Sequence, residues 1–176
     1  MSLLRRCLGR WVPAMVAVAL VAVACSSTST ADDGREVDTY EAILRWLVDY
    51  TDRSVGAPSD GGSRLVFVDH LGPDKIALDI QVELVVRLAD HADLRFIDSL
   101  EEAVDVDLED RPVRDGGVLV GLGLVPDETP IEARGEVYLG PDEVHGWRFP
   151  MILRNGRWEL RADPEVVDPE GFVETP

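Results

Sequence analysis

Leu65-Val66-Phe67-Val68, the segment Lys75 to Ala89 and Leu94-Arg95-Phe96-Ile97 lie in immediate succession, and they decide the fold. The first run is apolar at every position, so both of its faces are expected to be covered in a sheet interior. The middle segment places Ile76, Ile80, Leu84 and Leu88 on one helical stripe. Asp69-His70-Leu71-Gly72-Pro73-Asp74 turns the chain between them. The last run is short and rich in bulky residues, as a second strand requires. Strand, helix and strand in this order form a βαβ unit with a parallel pair. Downstream, Ser99 and Glu102 have the spacing of a capping box for a short helix reaching Val104.

The C-terminal half reads as antiparallel sheet. Gly117–Val125, Ile131–Leu139, Gly146–Leu153 and Arg157–Arg161 are expected strands of a meander. Asn155-Gly156 suits a two-residue type I′ turn, because both residues tolerate positive φ. That turn pairs Arg154 with Arg157, Leu153 with Trp158 and Met151 with Leu160. It places Trp147, Phe149, Met151, Leu153, Trp158 and Leu160 on one face. Pro150 has no N–H to give to a ladder, so its nitrogen should face an edge or a bulge.

Upstream, Tyr40, Ile43, Leu44 and Leu47 recur at helical spacing, and Asp38 with Glu41 suggests the N-cap of that helix. Thr51 to Ser63, with Gly56, Pro58, Gly61 and Gly62, reads as a loop. The fold class is therefore α+β: an N-terminal helix, one βαβ unit and a four-stranded antiparallel meander packed on the helices. A single domain is expected over residues 35–168. Residues 169–176 read as a loose acidic tail in which Phe172 alone invites docking.

The first thirty-four residues carry a different message. Arg5, Arg6 and Arg10 precede the apolar run Trp11–Ala24, which closes on Leu20-Val21-Ala22-Val23-Ala24-Cys25 and is followed by Ser26-Ser27-Thr28-Ser29-Thr30. The run falls short of the roughly 20 apolar residues that span a bilayer. It fits the hydrophobic region of a cleaved export signal. Ala22-Val23-Ala24-Cys25 resembles the lipobox of bacterial lipoproteins, although leucine is commoner at the position of Ala22. The resemblance implies a signal peptide over 1–24 and a diacylglycerol on Cys25. It also implies attachment to the extracytoplasmic face of the cell membrane, with residues 25–34 as a flexible tether. An ordinary secretory signal cut after Ala24 and an uncleaved anchor are the alternatives. Two acyl chains suffice for stable anchoring where one binds reversibly.

Charge narrows the partners. The chain holds 17 basic and 34 acidic residues. Loss of Arg5, Arg6 and Arg10 leaves 14 basic residues and a formal charge of −20. Phosphate binding needs the opposite surface, so nucleic acid is excluded as an expected partner. Cys7 leaves with the signal and Cys25 carries lipid, so the domain must hold by packing without a disulfide.

Two constellations stand out as candidate sites. Asp69, His70 and Asp98 follow the carboxyl ends of the expected parallel strands, where open α/β sheets bind ligands. An Asp/His pair there suits acid–base work, which gives the alternative reading of a hydrolase or metal-dependent enzyme. Turn formation and helix capping are the structural roles open to the same residues. Arg148, Arg154, Arg157 and Arg161 gather on the hairpin opposite Trp158, and Arg134 joins them from the preceding strand. Guanidinium groups in that number suit a carboxylate, a phosphate or an acidic partner segment. A cross-strand ladder with Glu132, Glu136 and Glu159 is the favoured account of them.

The acidic run Asp105, Asp107, Glu109, Asp110 and Asp115 lacks the glycine and the terminal glutamate of a calcium loop. Gly121 and Gly123 share a strand face without the third glycine of a dinucleotide site. No cofactor is expected. The ending Asn155-Gly156-Arg157-Trp158 resembles that of the nuclear-transport-factor-2-like superfamily, whose small α+β domains finish in a late antiparallel sheet. The early βαβ unit departs from that family's order, and no site residue carries over. The expected role is non-catalytic binding of an envelope protein or a small ligand.

Overall fold

The computed structural model describes residues 31–58 and 61–172, so the export segment and Cys25 lie outside the described residues. The chain forms a mixed, seven-stranded sheet with helices on both faces, which is the α+β class expected. The elements are α1 (Ala31–Val55), β1 (Arg64–His70), α2 (Leu78–Leu88), β2 (Ala92–Phe96), α3 (Leu100–Ala103), β3 (Val118–Leu122), β4 (Glu132–Gly140), β5 (Glu143–Arg154), β6 (Arg157–Leu160) and β7 (Glu165–Val167).

The strand order is β2-β1-β3-β4-β5-β6, with β7 also on β5. β1 lies between β2 and β3 and is parallel to both. From β3 onward the pairs are antiparallel. The parallel part makes β1 a covered interior strand. Val66 and Val68 face a core with α1 and α2. Phe67 faces a second core with Ile97, Ala103, Leu119 and Tyr138.

The hairpin pairs Met151 with Leu160, Leu153 with Trp158 and Arg154 with Arg157. Asn155 and Gly156 both have positive φ, at 53° and 80°. Pro150 accepts the Arg161 N–H at 2.8 Å through its carbonyl. It sits where the ladder on β5 passes from β6 to β7, and its missing N–H is harmless at that interruption.

Several expectations about boundaries change. α1 begins at Ala31, inside the segment read as tether, and runs on to Val55 through the start of the expected loop. Asp38 and Glu41 are therefore in mid-helix and are no N-cap; both side chains are buried and engaged by guanidinium groups. α2 starts at Leu78, three residues after Lys75. Of the expected tail, the described residues 169–172 dock through Phe172, whose ring meets Tyr138 edge to face at 6.0 Å. The polar composition of 164–172 concealed β7 and the contacts that hold it.

α1 lies against the sheet where glycine lets it approach. A Cβ on Gly135 would stand 2.9 Å from Ile43, 3.0 Å from Phe149 and 3.2 Å from Leu47. Trp46 packs edge-on against Trp147 and Phe149 at 5.1 and 5.5 Å, which closes the open side of the helix. Gly135→Val should destabilise the chain by about 2 kcal/mol through overpacking, read as a lowered urea midpoint with an unchanged m-value.

Tyr40 is fully buried, with its hydroxyl beside Glu36. Burial, reinforced by the negative charge of Glu36, raises its phenol well above the ordinary value. The folded state thus favours the protonated form. The associated stability is complete below about pH 10, the unfolded value, and is lost as pH rises beyond it. Unfolding between pH 8 and 11 should show this decline, and Tyr40→Phe should flatten it.

Candidate functional site

The ends of the parallel strands bring Asp69 and Asp98 to one ammonium group. Lys75 Nζ stands 3.7 Å from Asp69 Oδ1 and 3.8 Å from Asp98 Oδ1, and donates to the Asp98 carbonyl at 3.1 Å. Asp69 Oδ1 also accepts the His70 backbone N–H at 2.8 Å. The Asp98 side chain is 90 % exposed, so its share of this pairing is weak. His70 Nδ1 is buried without a partner. The three candidates therefore share one neighbourhood, with their carboxylates serving a lysine. Among the described residues no group of three or more His, Cys, Asp or Glu side chains could hold a metal ion.

The arginines divide into separate pairings. Arg134 and Arg148 are register partners on β4 and β5. Arg134 donates to Glu136 Oε1 at 2.9 Å and pairs with Glu170 at 2.9 Å. Arg148 stands 3.9 Å from Glu132 and 3.5 Å from Glu165. Arg154 reaches Glu159 at 4.0 Å. Arg157 is drawn across to α1, 2.9 Å from Glu41 and 3.7 Å from Asp38. Arg161 is exposed and has no ion pair among the described residues. Carboxylates thus accompany four of the five guanidinium groups.

Glu136 is the most deeply buried of these acids, at 0 % exposure. Besides Arg134, it accepts the backbone N–H groups of Glu170 and Gly171 at 2.9 and 3.0 Å. Its alternation with Tyr138 along β4 places it on the face away from α1. Gly121 forms the adjoining floor, where a Cβ would stand 2.3 Å from Leu71 and 2.9 Å from Phe172. The glycines at 121 and 123 thus make room for the Leu71, Phe172 and Arg134 side chains.

On the other face, α1, α2 and β6 meet at a compact charge network. Asp38 and Glu41 are three residues apart, so the helical period puts both on one side of α1. Arg87 of α2 donates to Asp38 at 2.7 Å and to Glu41 at 3.0 Å. The Trp158 backbone N–H donates to Asp38 Oδ2 at 3.1 Å. Burial alone would lower the Arg87 guanidinium, but its bonds to Asp38, Glu41 and Glu83 hold it above its ordinary value. Beside the network opens a cleft of about 380 Å³, with Trp46, Trp158 and Leu160 on its walls and Asp49 and Glu159 among its lining.

The surface that sequence reasoning missed is the outer side of α2. Leu78, Val82, Val85 and Val86 are 74, 57, 41 and 71 % exposed. Their spacing gives a second apolar stripe opposite Ile80, Leu84 and Leu88, which are buried. The signal was present as Val82, Val85 and Val86, but in sequence it is interleaved with the stripe already assigned to the core. A helix apolar on both sides is normally covered on both sides. No protein family, curated protein or solved structure matches the chain.

The charge network makes Arg87 and Arg157 unequal. Removing Arg87 leaves two buried carboxylates short of their chief partner, so Arg87→Ala should cost about 3 kcal/mol. Arg157 is 59 % exposed, and its alanine variant should cost about 1 kcal/mol or less. Equal losses in chemical denaturation would contradict this division.

Proposed function

We propose that this chain is a lipid-anchored protein of the extracytoplasmic face of the cell membrane, and that it acts by non-catalytic docking of an envelope protein. Anchoring is supported by the order of basic segment, short apolar run and Cys25 in the sequence. Among the described residues no helix is long and apolar enough to cross a membrane. The βαβ unit and the antiparallel meander, with α1 and α2 on one face, serve in this reading as a rigid mount.

The observation that carries docking is the exposed outer stripe of α2. Leaving Leu78, Val82, Val85 and Val86 largely in water forgoes a substantial part of the roughly 1.5–3 kcal/mol that full burial of each such side chain gives. Clustered exposed apolar side chains mark interaction sites more than scattered ones do. A carrier of small ligands would instead need an enclosed apolar cavity, and the cleft beside Trp46 and Trp158 is open.

Crosslinking of the tagged protein in cells, followed by mass spectrometry, tests this reading. A reproducible crosslinked partner should be lost in the double variant Val82→Glu, Val86→Glu while the thermal melt stays within a few degrees. Cys25→Ser should move the protein from the membrane fraction to the soluble extract. A crosslink pattern indifferent to the α2 substitutions would overturn docking through this helix; retention of the Cys25→Ser variant on membranes would overturn the lipid anchor.

A further inference from the structure

Resting on that docking reading, we infer that the occupant of the α2 outer face is an amphipathic helix with a basic border. The helical period orders the residues around α2. Leu78, Val82, Val85 and Val86 form the stripe, with the exposed Ala89 just past its end. Asp79 and Glu83 run along one border, and Asp90 follows in the next turn. Gln81 lies on the other border. Glu83 is paired with Arg87 within the helix. Asp79 and Asp90 are exposed and enter no ion pair among the described residues. The face is thus apolar along its centre, acidic on one side and neutral on the other.

That asymmetry selects among occupants. In an antiparallel two-fold pair of α2 helices, each acidic border meets its own copy, and the like charges brought together disfavour that pairing. An anionic bilayer meets the same carboxylates and is repelled. A helix with an apolar stripe and lysine or arginine along one edge satisfies the whole surface at once. Its stripe covers the valines, and its cations reach Asp79 and Asp90.

The size of the contact sets its strength. The 11 residues of α2 make a helix about 16 Å long. Such a face contributes less than the roughly 800 Å² per partner of a standard interface. The complex is accordingly transient, and high local concentration at a membrane surface favours it.

The test uses two fluorescein-labelled helical peptides with one leucine stripe, differing only in a lysine or a glutamate border. Each is titrated by anisotropy against the purified full chain as recovered from cells. The lysine peptide should bind at least about tenfold more tightly than the glutamate peptide at low salt, with the gap closing as salt rises. Asp79→Asn with Asp90→Asn should narrow the gap about fivefold or more with only a small lowering of the thermal melt from the lost N-terminal charge of α2. Val82→Ser with Val86→Ser, the milder change in case glutamate disturbs the helix, should weaken the lysine peptide about tenfold.

Equal binding of the two peptides, or no binding of either, overturns the basic-border inference. If the in-cell crosslink still depends on α2 in that case, docking stands and only the partner's chemistry falls. Sedimentation showing a dimer that Val82→Ser and Val86→Ser dissolve would assign the face to a second copy and overturn the inference as well.

Discussion

Two carboxylates on one turn of α1 hold three parts of the molecule together. Asp38 and Glu41 are among the few buried acids, and each is held by Arg87 from α2 and Arg157 from β6, while Asp38 also takes the Trp158 N–H. Apolar packing alone would let α1 slide along the sheet, because Leu, Ile and Val contacts are non-directional. The hydrogen bonds to Asp38 and Glu41 fix its position to the sub-ångström range of a donor–acceptor distance. They also locate the βαβ unit relative to the late hairpin, two parts separated by some of the longest loops in sequence. The arrangement is expensive to break and modest in net stabilisation, as buried ion pairs generally are. Its evident effect is geometric: the orientation of α2, and so of its outer face, depends on it.

Glu136 does the corresponding work on the opposite face. One buried carboxylate gathers Arg134 and two backbone N–H groups, and so draws the end of the chain over β4. Phe172 then completes the smaller core against Tyr138. In a strongly acidic chain the few buried acids occupy junctions where guanidinium and amide groups surround them, and most of the other described acids are exposed. The arginines follow the same logic. Those on the hairpin and β4 neutralise nearby carboxylates, which lowers the self-repulsion that a charge of −17 would otherwise impose on a compact state.

Local patterns were legible in the sequence where one residue type decides one geometry. Asn155-Gly156 fixes the hairpin because both positions need positive φ, and Glu102 accepts the Ser99 N–H at 3.1 Å as its spacing requires. Ile80, Leu84 and Leu88 are buried as their period demands. What stayed hidden depends on contacts distant in sequence. Asp38 and Glu41 have the local spacing of a cap, and only Arg87 and Arg157, 46 and 116 residues from Glu41, turn them into a clamp. The ordered residues 169–172 were concealed likewise, because Gly171 and Glu170 carry no apolar signal and are held by Glu136 and Arg134, far back in the sequence.

The outer stripe of α2 went unread for a different reason, and that reason bears on function. Periodicity asks whether a helix has an apolar side, and α2 answers with Ile80, Leu84 and Leu88. A second side at Leu78, Val82, Val85 and Val86 then looks like reinforcement of the first, since β-branched residues add nothing to helix propensity. Only the assembled fold shows that the sheet covers one side and that nothing among the described residues covers the other. Valine at three exposed helical positions is a poor choice for the stability of an isolated domain: it lowers helix propensity and leaves apolar surface in water. A sequence shaped for solubility alone, as its acidic surface suggests, would carry glutamate, lysine or arginine there. The conflict between local preference and exposure ends if the valines pack against a partner, where β-branched side chains lose little further freedom on being fixed.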